Sequence, residues 1–249
     1  MTFPQQQALR GRVLLWGGVT VIAVAAWLAM TVTHRSGHQH TTTAAGPALT
    51  GWLVMVVAMM LPTTLPLLEL MRRLLAARGA APAVVALVAA AYVAVWTGTG
   101  AVLVTAQVAA GAWLERRSWV LDHPRALLGA ALVLAGAYQF SAVKDRCLTA
   151  CRSPRGVAML RWRGVHPAWA EAADIAVRYA VSCVGCCWAL MAVGLVAGAG
   201  SLIAMALLTA LTAAERLTRH GAVLVRPAGA AALIAGCSLL LGVDTIFTA

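Results

Sequence analysis

Apolar residues run along this chain in long blocks separated by short polar breaks, and each block is close to the length needed to cross a bilayer. At about 20 residues per span, seven helices are expected, over 13–32, 48–68, 83–110, 126–146, 176–198, 201–214 and 223–243. The blocks are rich in Ala, Gly, Val and Leu, with only three Phe and three Tyr in the chain. That mix lets helices approach closely in lipid and argues against a β-barrel. The expected fold class is all-α, a polytopic membrane helical bundle forming a single domain over 1–249. Pro62 and Pro66 in the second block remove backbone donors and predict a kink there. The fourth block reads as a helix that runs on until Ser153 and Pro154. The segment 152–175, with four arginines and two tryptophans, reads as an interfacial stretch on an anionic leaflet.

Composition supports this reading: 61% of the 249 residues are hydrophobic and 11% charged, outside the soluble globular range. The formal net charge of +11 does not indicate nucleic acid, because the basic residues lie in short loops and not in one domain. With the N-terminus inside, 15 of the 19 Lys and Arg residues fall on one side and Arg35, Arg116, Arg117 and Arg125 on the other. This positive-inside split places the N-terminus in the cytoplasm and the C-terminus outside, in a bacterial-type plasma membrane. The first block exceeds a signal-peptide core and lacks a small-x-small exit, so it is expected to be retained. Trp113 and Trp119 are expected to form an external aromatic belt.

Candidate chemistry lies in the stretch YAVSCVGCCWALM, Tyr179 to Met191. On a helix Cys183 and Cys187 share a face, Cys186 lies beside them, and Met191 continues the row one turn on. Cys147 and Cys151, spaced i and i+4, share a face at the end of the fourth helix and can both point at one metal. Met55, Met59 and Met60 recur at helical spacing in the second, where methionines are usually core filler. At ~1.5 Å per residue, Cys183 to Cys187 lie roughly 10–16 Å from the inner face. Met59 and Met60 lie about 12 Å from that face of a ~30 Å core. Sulfur on three helices thus forms a ladder toward the cytoplasm. Thiols and thioethers select soft ions, above all Cu(I), with zinc also accepted. Such binding releases protons, and Lys144 and Arg146 are placed to stabilise a thiolate at Cys147. His34, His38 and His40 in the first external loop either collect a divalent ion or Cu(II) or are incidental in a polar linker. Cys237 reads as a buried small hydrophobe, and Glu69 as an interface anchor or a group behind the ligands.

Three blocks carry a family resemblance: AMMLPTTLP (Ala58 to Pro66), GAYQFSAVKDRCLTACRSP (Gly136 to Pro154) and CVGCCWALM (Cys183 to Met191). Together they resemble the predicted metal-binding integral membrane proteins, a domain of unknown function sometimes described as copper chaperones. The resemblance implies that Met59, Met60, Cys147, Cys151, Cys183, Cys186 and Cys187 are metal-ligand candidates. The histidine loop is not part of that pattern.

The expected function is soft-metal binding in the bilayer, with copper passed to or from a partner protein and assembly into an oligomer or membrane complex open. No P-loop GxxxxGK[ST] is present and no charged relay crosses the expected spans, so pumping and other enzymatic activity are not expected. One rival is a membrane thiol–disulfide oxidoreductase using the Cys183-Val-Gly-Cys186 pair, although that pair is buried in mid-helix. Another is a structural subunit of a membrane complex, in which the cysteines only pack.

Overall fold

The structure, a computed structural model, describes residues 3–35, 45–77, 82–114, 124–197 and 202–242. His38, His40, Trp119, Gly198, Gly200 and Asp244 lie outside the described residues, as do the side chains of His34 and Trp113. Among the described residues the chain is all helical. The α-helices are α1 (Phe3–Arg35), α2 (Ala45–Met59), α3 (Leu65–Ala77), α4 (Pro82–Leu114), α5 (Pro124–Gln139), α6 (Ala142–Arg152), α7 (Pro154–Arg161), α8 (Ala168–Val196), α9 (Leu202–Leu217) and α10 (Gly221–Leu241), with a 3-10 turn over Pro62–Thr64.

Four helices are long and apolar enough to cross a membrane: Leu9–Thr33, Pro82–Ala110, Ala168–Val196 and Gly221–Leu241. Two bent pairs raise the number to six if each is one span: Gly46–Met59 with Pro62–Ala76, bent by 45°, and Arg125–Gln139 with Ala142–Arg152, bent by 70°. The expected span 201–214 corresponds to α9, whose 16 residues reach about 24 Å at ~1.5 Å each, short of a ~30 Å core. Large apolar side chains such as Leu14, Val21, Ile203 and Val223 face outward, as lipid-facing positions do.

α8 is the central helix: 56% of its apolar window is buried, against 22–28% for the other three single spans. It begins at Ala168, so the last part of the expected interfacial stretch belongs to it. The first part forms α7, capped by Ser153, whose side chain accepts from Gly156 N, with Pro154 at the helix start, where a missing N–H costs nothing. Glycines of the fourth block pack α5 against α10. A Cβ on Gly136 would lie 2.8 Å from the Gly229 carbonyl oxygen, and one on Gly236 would lie 2.7 Å from that of Gly129. The order of these pairs makes the two helices antiparallel, and only glycine permits the approach.

Two expectations are corrected. The fourth block is not one helix to Ser153: it breaks at Phe140 and Ser141, because Ser141 takes an extended backbone (φ −78°, ψ 141°) and caps a new helix by accepting from Lys144 N. Asp145 in that first turn adds favourable charge at the helix start. Cys237 is exposed, not buried, because its neighbours Gly236 and Ser238 occupy the packed face of α10.

Candidate metal centre

The buried face of α8 carries Tyr179, Cys183, Cys186, Cys187, Leu190 and Met191, the i, i+4, i+7, i+8 pattern of a helix facing a packed interior. Cys186 and Cys187 both aim their Sγ atoms at the Cys183 carbonyl oxygen, at 3.1 and 2.9 Å, a satisfactory partner for a protonated thiol. Cys183 itself meets the Tyr92 hydroxyl of α4 at 2.9 Å.

The 70° bend between α5 and α6 delivers the next thiol. Glu215 on α9 holds the bend from both sides. Its Oε1 accepts from Gln139 Nε2 at 3.0 Å, just before the break, and its Oε2 accepts from Lys144 Nζ at 2.7 Å, just after it. At the far end of α6, the Arg152 guanidinium donates to the carbonyls of Glu215, Thr218 and Arg219, where the negative end of the α9 dipole favours a cation. So anchored, α6 turns its cysteine face to α8. Cys151, Cys183 and Cys186 are all buried, and their Sγ atoms lie within 4.8 Å of one another.

The kink in the second block supplies a thioether. The Thr63 and Thr64 hydroxyls donate to the carbonyls of Met60 and Leu61, each at 2.7 Å, holding the backbone beside Pro62. Met60 Sδ then lies 3.9 Å from Cys187 Sγ, which is 4.0 Å from Cys183 Sγ. Arg216 of α9 enters the same space. Its Nη1 donates to Thr63 Oγ1 and, at 3.6 Å, to Met60 Sδ, and its Nη2 donates to the Tyr179 hydroxyl at 3.4 Å. These partners are all neutral, and Arg216 Nε is buried with no hydrogen-bond partner among the described residues.

The donor set fits a soft ion. Metal–sulfur bonds of about 2.3 Å put three sulfurs around one ion roughly 4 Å apart, within the separation found. Thiols and a thioether exclude hard ions that need carboxylate oxygens.

Of the residues singled out from sequence, the structure brings together Cys151, Cys183, Cys186, Cys187 and Met60. Cys147 stands outside the triad, half-buried, with its Sγ against Gly185, where a Cβ would collide with it. Met59 and Met191 are buried in the same core, and Met55 faces Gly194, two turns beyond Cys187. Glu69 binds Arg72 and Arg73. Lys144 is committed to Glu215, and Arg146 is exposed, so neither is a thiolate partner for Cys147. Tyr92, Thr63, Gln139, Glu215 and Arg216, which no sequence pattern assigns to the site, also lie around it, and Tyr179 joins them from the start of the cysteine stretch. For α9 a signal existed: Met205, Thr212, Glu215 and Arg216 recur at helical spacing and all are buried, which marks its two charges as inward-facing.

A family model described as PpoB2, copper chaperone, matches residues 49–239, a range that includes every residue of the sulfur cluster. No curated protein and no solved structure matches the chain.

Proposed function

We propose that this chain, which belongs to the copper-chaperone family over residues 49–239, binds Cu(I) through Cys151, Cys183 and Cys186 inside a membrane helix bundle and exchanges it with a partner protein. The observation that carries the proposal is the meeting of three buried thiols from two helices within 4.8 Å. Cys151 comes from an element turned by 70° from its own apolar run, and a bend held by a buried ion pair is an uncommon way to arrange mere packing.

Copper is favoured over zinc by the thioether of Met60 beside the thiols, since Zn2+ sites are built from Cys, His and carboxylate. Each thiol that becomes a ligand releases a proton, and the S–H bonds to the Cys183 carbonyl are given up for metal–sulfur bonds. Arg216 then faces anionic sulfur, which matches its buried and otherwise unpaired charge. Cys147, half-buried and one helical turn from Cys151, is the thiol through which an ion would pass to or from the partner. With the amino end in the cytoplasm of a bacterial-type cell, α6 ends its apolar run on the inner side, where copper is reduced.

Copper and zinc content of detergent-purified protein, loaded anaerobically under reducing conditions, tests the proposal. Copper retained by the wild type and lost from Cys183→Ser with Cys186→Ser is the expected result. Metal content equal in both proteins removes the proposal. Reversible oxidation of Cys183 and Cys186 by a quinone, without metal retention, replaces it with thiol–disulfide exchange.

A further inference from the structure

We infer that the sulfur cluster holds two Cu(I) ions, with Cys183 Sγ shared between them. Cys151 and Cys186 complete the first position; Cys187 and Met60 complete the second. This rests on the reading of the site as a Cu(I) site and adds its nuclearity.

Two overlapping sets of three donors are present. The first is the mutually close group of Cys151, Cys183 and Cys186. Cys187 does not belong to that group, and its Sγ leads away from it, 4.0 Å from Cys183 Sγ on one side and 3.9 Å from Met60 Sδ on the other. One ion with three sulfur ligands leaves Cys187 and Met60 unused, although both are 1% exposed or less and in contact. A second ion uses both and again has three sulfur ligands. Only a thiolate can serve two ions at once, and Cys183, common to both sets, is the thiol that also meets the Tyr92 hydroxyl at 2.9 Å. As a thiolate it must accept that hydrogen bond, so Tyr92 stabilises the bridging form.

Charge points the same way. Repulsion between neighbouring monovalent ions is a quarter of that between divalent ions at the same spacing, so a shared thiolate suits Cu(I). Loading breaks four S–H bonds, sends four protons to solvent and transfers no electron. Four thiolates and two Cu(I) leave a net charge of −2. Arg216, which among the described residues forms no ion pair and has an unpartnered Nε, supplies one compensating positive charge at the Met60 end.

Anaerobic Cu(I) titration of the full chain in detergent, against a competing Cu(I) chelator, reads the stoichiometry. The wild type is expected to bind about two equivalents, Cys187→Ser, Met60→Leu and Cys151→Ser about one each, and Cys183→Ser less than one. X-ray absorption of the doubly loaded wild type is expected to contain a copper–copper contribution that Cys187→Ser lacks. Met60→Leu, nearly the same in volume, carries the test if Cys187→Ser does not fold. Saturation of the wild type at one equivalent, unchanged by Met60→Leu, overturns the inference and leaves the single-ion function standing. Absence of copper binding in the wild type overturns both.

Discussion

Lys144 Nζ and Glu215 Oε2 lie 2.7 Å apart with side chains only 1% and 2% exposed, and the ion pair they form fixes the break that carries Cys151 to the sulfur cluster. Removing one member strands the other charge, at a cost of about 3–5 kcal/mol, whereas removing both leaves no stranded charge. Glu215→Gln is therefore expected to lower thermal stability strongly and weaken copper retention. Lys144→Met combined with Glu215→Leu is expected to recover stability but not copper retention, because the bend is no longer held. Unfolding curves beside copper content of the same samples decide this, and a double variant no more stable than Glu215→Gln contradicts it.

Arg216 yields a pair of effects of opposite sign. Arg216→Met removes a cation whose partners among the described residues are all neutral, so the apoprotein is expected to melt at a higher temperature. The same change takes a positive charge from behind the thiolates, and copper affinity is expected to fall about 10–100-fold. Chelator competition and thermal melting on one preparation read both effects; a fall in both, or in neither, is the contrary result.

Acid should release the metal. Copper ligands must be thiolates, so the ion competes with protons for Cys151, Cys183 and Cys186. Lowering the pH favours the S–H form, and raising it favours binding. The logarithm of the apparent affinity is expected to drop by about one for each pH unit and each proton released. A flat profile between about pH 6 and 8 would indicate ligands that carry no proton.

The glycine seam between α5 and α10 offers a stability test independent of metal. Gly136→Ala brings a methyl group to 2.8 Å from Gly229 O and the Leu233 backbone, neither of which can turn aside, and a loss of about 1–3 kcal/mol is expected. Gly98→Ala meets nothing within 4 Å and should be neutral or slightly stabilising. Equal melting temperatures for the two variants would mean that the helices separate more easily than their spacing implies.

Much of this arrangement is legible in the sequence because the bilayer simplifies it. Apolar runs reveal the long helices, Pro62 reveals the kink, and the i, i+3, i+4 spacing of Cys183, Cys186 and Cys187 reveals a shared face. The break at Ser141 is harder to see, since apolar and small residues continue on both sides of it and the only local sign is a serine followed by Lys144 and Asp145. Glu215 and Arg216 look like loop charges at the end of a short helix. Their role depends on Gln139, Lys144 and Met60, at least 71 residues away, and no local pattern selects such partners. Cys237 is hard to place from sequence for a related reason: a small apolar residue on a membrane helix suits lipid as well as it suits a core.

The antiparallel glycine contact has a consequence for the order of biogenesis. It joins Gly129 and Gly136 to Gly236 and Gly229, so α5 gains its closest neighbour only when the last described helix has entered the bilayer. Until then the limb before the bend lacks its closest neighbour, while Glu215 of α9 already joins Gln139 and Lys144 across the break. A chain cut before α10 would thus carry the cysteines of α6 and α8 beside a limb not yet packed along its glycine face, and full copper retention is expected only once α10 is in place.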